Sequence, residues 1–196
     1  MSRLLLVFVL VLSACVPVKI ADLKAVLPKG ALPATRWDHR PEAAEWTTRS
    51  RVAVAAKDEV LASRVPADIK SWCPGYEDNS LAARRAFWVG LLSAVAKYES
   101  SWNPAASGGG GQYIGVMQIS PKSARHYDCA ASNAAALKDG AANLECSIEM
   151  LAENVGRDHV VAGKGNRGMG RDWMPFRKAS KRAEMAAWTA AQSYCQ

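Results

Sequence analysis

The stretch from Leu81 to Ser100 places the tightest limit on how this chain folds. Trp88, Leu91, Leu92 and Val95 recur at i, i+3, i+4 and i+7, so they share one face of a helix. Pro104 forces that helix to stop, because the residue before a proline is driven out of the helical region. Glu99 lies four residues after Val95 and falls on the same apolar face. Burial of a carboxylate is costly, and the helix C-terminus carries partial negative charge. Both effects disfavour ionisation, so the pattern predicts a raised pKa for Glu99 and a carboxylic acid able to donate a proton near neutrality. Two plainer readings stand beside this one. Glu99 could be paired with Arg84, Arg85 or Arg125, or it could point into solvent at a fraying helix end.

Elsewhere the periodicity is also helical. Thr47 to Val65 reads as a helix ended by Pro66, and Pro66 to Trp72 as a short helical turn. Asn143 to Val155 places Leu144, Ile148, Leu151 and Val155 on one face, with Gly156 as its C-cap. Lys178 to Tyr194 is the last helix, with Met185 and Trp188 on its apolar side. Ala105 to Gln112 and Gly163 to Gly170 read as loops. No long alternating stretch is present, so the fold class is mainly α with long loops. At 196 residues, 49% hydrophobic and 22% charged, the chain can build one core and is unlike a disordered polymer.

The N-terminus reads as a targeting segment. Arg3 precedes an apolar run from Leu4 to Leu12, too short to span a bilayer as a helix. Leu12-Ser13-Ala14-Cys15 resembles a bacterial lipobox, which implies cleavage before Cys15 and lipid attachment there. The expected division is 1–14 lipoprotein signal peptide, 15–45 membrane tether with scattered prolines, and 46–196 the folded helical domain. Several acyl chains hold a protein at a membrane where one alone binds marginally. Val16 follows the cysteine, without the aspartate that often marks inner-membrane retention. The expected location is therefore the periplasmic side of the outer membrane.

Without Cys15, four cysteines remain: Cys73, Cys129, Cys146 and Cys195. Export favours disulfides among them, and four allow three pairings. We favour Cys129–Cys146 as a local staple and Cys73–Cys195 as a tie for the C-terminal segment. No C-x-x-C spacing points to zinc. The net charge of +7 suits an acidic polymer or lipid headgroups, and no basic block is long enough to indicate nucleic acid.

Three blocks carry a family resemblance. Glu99-Ser100-Ser101-Trp102-Asn103-Pro104 is similar to the E-S-x-x-x-P signature of the soluble lytic transglycosylases, whose domain resembles goose-type lysozyme. Gly115-Val116-Met117-Gln118-Ile119 is similar to the family's G-L-M-Q-I motif, with Val116 in place of leucine. Leu137 to Leu151 follows, with Asp139 and Asn143 placed as in the family's next helix. Together these blocks cover about residues 81–155. The resemblance implies a lysozyme-like helical domain acting on peptidoglycan glycan strands. Glu99 would be the acid and then the base. Ser100, Ser101 and Ser107 would shape its surroundings. Gln118 and the backbone at Met117 would hold the sugar's N-acetyl group, since an amide both donates and accepts. Gly115 would let the backbone approach the sugar. Ile119 reads as core. The family's A-Y-N motif is not visible; Gly168 to Trp173 occupies its region, and Trp173 is the expected substitute for the tyrosine.

The implied reaction needs one carboxyl group from the protein. Glu99 protonates the bond between N-acetylmuramic acid and N-acetylglucosamine, then takes the proton of the C6 hydroxyl that closes a 1,6-anhydro ring. No metal or cofactor is required. A hydrolytic lysozyme would need a second carboxylate, for which Glu77, Asp78, Asp128 and Glu153 are candidates. A non-catalytic wall-binding lipoprotein is the third reading. The G-x-G-x-x-G match from Gly163 to Gly168 lacks a preceding strand and reads as a mobile surface loop near the glycan groove. His39, His126 and His159 are scattered, show no H-E-x-x-H arrangement and read as surface or core histidines, with His126 the one candidate for the cleft. Trp88 and Trp188 read as core, and Trp102 and Trp173 as platforms for sugar rings.

Overall fold

A computed structural model describes residues 32–196, which form one compact unit. The signal segment, the lipobox and Cys15 lie outside the described residues. Five α-helices carry the fold among the described residues: α1 (Ala43–Ala55), α2 (Leu81–Ser100), α3 (Pro121–His126), α4 (Gly140–Asp158) and α5 (Ala179–Ala190). The only strands described are β1 (Ser107–Gly108) and β2 (Tyr113–Ile114), an antiparallel pair. No described helix is long and apolar enough to cross a membrane.

Helix α2 is the axis of the domain. Ser80 caps its start by accepting from the Ala83 N–H, and Ser101 ends it in the left-handed conformation at φ 52°. Every residue from Ala86 to Ala96 is buried, so the helix is covered on all sides. Gly90 is small for a packing reason: a Cβ there would lie 2.0 Å from the Tyr194 hydroxyl. Tyr194 belongs to a 3₁₀ turn, Ser193–Cys195, that follows α5. Thr189 fixes the end of α5 by donating to the Trp72 carbonyl at 2.7 Å.

Helix α1 buries Trp46, Ser50 and Val54 against α2 and α4. It begins earlier and ends sooner than its composition predicts. After Ala55 the chain turns, and the expected span to Val65 is a series of turns anchored by the Asp58–Arg85 ion pair. The expected domain boundary at 46 also moves. Residues 32–45 belong to the compact unit, with Trp37 fully buried, edge-on to Trp46 and donating to Thr47 at 2.9 Å. The prolines that mark a tether leave room for a buried anchor between them.

Helix α4 is longer than its apolar stripe indicates. Asp139 caps it by accepting from the Ala142 N–H at 2.8 Å, and it runs through Gly156 to Asp158, with His159 as the left-handed cap. Gly156 is therefore not a C-cap. It is small because a Cβ there would meet Val60 at 2.6 Å. Two disulfides close the fold, Cys73–Cys195 and Cys129–Cys146.

The stretch from Gly163 to Gly170 is not a mobile surface loop. Asp68 accepts from the backbone N–H groups of Val161, Ala162 and Gly163 at 2.6, 3.0 and 2.8 Å. Gly168, Met169 and Gly170 are buried in a 3₁₀ turn. Asp158 locks that turn through the Gly168 N–H at 2.7 Å and a two-pronged pair with Arg171. This holds the Asp158 carboxyl at a pKa of about 2, chiefly through its bonds to Arg171.

Candidate active site

The end of α2, the β1–β2 hairpin and the segment after Arg171 meet around a cleft of about 320 Å³. Glu99, Gly108, Gly109, Tyr113, Gln118, Asp172, Trp173 and Met174 line it.

Glu99 enters from the last turn of α2. Its carboxyl has no hydrogen-bond or ion-pair partner among the described residues. The three arginines that could have neutralised it are engaged elsewhere. Arg84 donates to the Tyr76 and Glu77 carbonyls, Arg85 pairs with Asp58, and Arg125 donates to the Ser132 carbonyl. Burial raises the Glu99 pKa to about 7, against an opposing pull from the Lys181 ammonium. The group is thus substantially protonated at neutral pH and has no internal acceptor for its proton.

The floor of the cleft is the tight turn Gly115–Gln118, closed by a bridge between Ile114 and Ile119. Buried Asn143 builds this turn from below. It accepts from the Met117 N–H at 2.8 Å and donates to the Ile114 and Leu137 carbonyls, both at 3.0 Å. Ser100 ties the turn to α2 by donating to the Val116 carbonyl at 2.8 Å. Trp173, buried at the cleft wall, donates its indole N–H to the Met117 carbonyl at 3.1 Å. Helix end, turn and far wall are therefore bonded to one another directly.

The structure sorts the remaining expected residues. Gly115, at φ 81°, is required by the turn and by Asn143: a Cβ there would lie 2.3 Å from the Leu137 carbonyl oxygen and 2.5 Å from the Asn143 amide. Its space is filled from inside the protein, not by an approaching sugar. Gln118, at φ 49°, lines the cleft and uses one N–H on the Gly115 carbonyl at 2.9 Å, leaving its other N–H available. Met117 is fully buried and contributes only backbone. Ser101 is the exposed helix cap, and Ser107 sits on β1; neither lines the cleft. Trp102 does not line the cleft; its indole N–H is held by the Ser93 carbonyl and its ring lies against His39. Trp188 is partly buried beneath the Arg36 guanidinium.

Glu77, Asp78, Asp128 and Glu153 do not line the cleft. The second carboxylate there is Asp172, which sequence reasoning passed over, together with Tyr113 and Met174. His126 lines a different and larger cavity, about 520 Å³, with Lys57, Tyr127, Glu149 and Gly156. There Lys57 and Glu149 satisfy each other at 2.5 Å, whereas the smaller cleft holds the unpaired acid. No cluster of His, Cys, Asp and Glu able to hold a metal occurs among the described residues.

An acid lodged without a partner in a cleft of a disulfide-stapled helical domain belongs to the lysozyme-like class, and comparison with known proteins makes the class specific. Residues 79–186 match the model of the transglycosylase SLT domain. Solved structures of DslA superpose with TM-scores of 0.76 and 0.75 for two glutamate-to-glutamine mutants and 0.75 for the wild type. Identity is 27%, 27% and 26%, and each match covers 85% of this chain and 100% of the DslA chain. No curated protein matches the sequence. The chain belongs to the SLT transglycosylase family and is a lytic transglycosylase of lysozyme-like fold.

Proposed function

We propose that the domain cleaves the β-1,4 bond between N-acetylmuramic acid and N-acetylglucosamine in peptidoglycan, with Glu99 as acid and then base. The observation that carries this reading is the Glu99 carboxyl itself, unpaired in a cleft and with a pKa of about 7. A group that titrates there can give a proton to the glycosidic oxygen and recover one from an attacking hydroxyl in the same turnover. The attacking group is the C6 hydroxyl of the muramic residue, and the product is a 1,6-anhydromuramic end. Gln118, with an N–H free in the cleft, suits the carbonyl of the acetamido group. The basic chain suits an anionic wall polymer.

We place the enzyme in the bacterial periplasm, held to the outer membrane by lipid on Cys15. The lipobox-like run supports this placement, and the mass of the mature N-terminal peptide tests it. The catalytic reading is tested by incubating purified sacculi with wild type and with Glu99→Gln, and weighing the released muropeptides. Anhydro ends from wild type and a loss of at least about 100-fold in the mutant are expected. Release at the wild-type rate by Glu99→Gln removes Glu99 from the chemistry.

A further inference from the structure

Asp172 lines the same cleft as Glu99, next in the chain to Trp173, and two distant side chains orient it. Tyr127, the C-cap of α3, donates its hydroxyl to Asp172 Oδ2 at 2.9 Å. Asn154, fully buried on α4, donates its amide N–H to the same oxygen at 2.6 Å. Oδ1 has no partner among the described residues. The neighbouring cation does not neutralise it, because Arg171 forms its two-pronged pair with Asp158 instead. An exposed aspartate serving solubility alone needs no such arrangement. Two donors on one oxygen hold the carboxylate in place in the cleft it lines and leave the other oxygen free to accept from a ligand.

We propose that Asp172 is a second catalytic residue, a carboxylate that accepts a hydrogen bond from the substrate's acetamido N–H and stabilises the positive charge that forms there. This rests on the glycan-cleaving reading above. In the first step Glu99 gives its proton to the glycosidic oxygen, the bond from C1 to that oxygen breaks with its electron pair staying on oxygen, and the acetamido carbonyl oxygen bonds to C1. The resulting oxazolinium carries one positive charge across its N–C–O atoms, and Asp172 faces its N–H. In the second step the C6 hydroxyl oxygen attacks C1, the bond from C1 to the acetamido oxygen breaks, and the hydroxyl proton passes to the Glu99 carboxylate. No water is consumed, and Asp172 exchanges no proton in either step. Tyr127 and Asn154 are positioning residues that act through it.

The test compares wild type, Asp172→Asn and Asp172→Ala on a defined glycan oligomer and on the same oligomer with the muramic acetamido group replaced by hydroxyl. On the natural glycan, Asp172→Asn is expected to lower kcat about 100-fold with KM changed less than about threefold, an effect of the size seen for removing one charge-stabilising group. Its thermal midpoint should stay within about 2 °C of wild type, since an exposed isosteric change costs little. On the hydroxyl analogue the ratio of wild type to mutant should collapse to about one. An Asp172→Asn enzyme with wild-type kcat overturns the proposal, as does a ratio that persists on the analogue. Wild-type products with inverted reducing ends, lost in Asp172→Asn, also overturn it and make Asp172 the base for a water. A wild type that releases no fragments from any glycan removes the underlying reading as well, which separates the two failures.

Discussion

The Asn143 side chain accepts a hydrogen bond from the Met117 backbone N–H at 2.8 Å while spending its own amide on two carbonyls, and so a helix on one side of the core dictates the shape of the cleft floor. Each of the three bonds is buried. Replacing Asn143 with Leu leaves an N–H and two carbonyls without partners, at a cost of about 3 kcal/mol or more. We expect a clear fall in the urea midpoint of Asn143→Leu, and a fall in kcat larger than the unfolded fraction explains. Turnover measured well below the midpoint separates the two effects.

The pH profile follows from Glu99. General-acid catalysis needs its protonated form, so kcat/KM should fall about tenfold per pH unit above the Glu99 pKa of about 7. The Lys181 ammonium favours the ionised form and lowers this pKa. In Lys181→Met the basic limb should move to higher pH, with little change on the acid side. A limb that stays in place removes Lys181 from the electrostatics of the site.

The same buried acid should weaken the fold as pH rises from acid towards neutrality. Between the unfolded pKa of 4.5 and the folded value of about 7, the native state holds a proton that the unfolded chain has released. Stability therefore declines as pH rises through that window, and the decline is complete above it. Glu99→Gln removes the titration. The mutant should match wild type at pH 4 and exceed it by about 2 kcal/mol at pH 8. Equal stability of the two proteins at pH 8 is the outcome that contradicts a buried, protonated Glu99.

The disulfides should differ in weight. Cys73–Cys195 spans 122 residues and Cys129–Cys146 spans 17. Loop-closure entropy gives about 5 kcal/mol for the long span and about 3 kcal/mol for the short one. The paired serine mutant Cys73→Ser with Cys195→Ser should therefore melt lower than Cys129→Ser with Cys146→Ser. Calorimetry on both double mutants checks the order.

Helix α2 and its terminal acid were legible in the sequence because local signals agreed. Ser80 at the cap, the apolar repeat from Trp88 to Val95 and the stop before Pro104 all describe one element. The Gly115–Gln118 turn was visible through its resemblance to a known motif, but the resemblance misplaced the reason for Gly115, whose missing Cβ makes room for Asn143. Asp172 was not legible. Its surroundings come from Tyr127 and Asn154, 45 and 18 residues away, and no periodicity connects three such positions. The Gly163–Gly170 stretch misled for a related reason. Glycine content signals backbone freedom, while the Asp68 and Asp158 carboxylates that remove that freedom lie elsewhere in the chain.

The seat of Tyr194 against Gly90 bears on how firmly the acid is held. The helix that delivers Glu99 is clad on one side by residues 189–195, the last portion of this segment to be synthesised, and Cys195 must then meet Cys73. A nascent or clipped chain that ends before residue 189 leaves that flank of the helix bare. The support of the helix that carries Glu99 thus comes in part from residues far along the chain, and a chain cut before residue 189 should hold that acid less firmly.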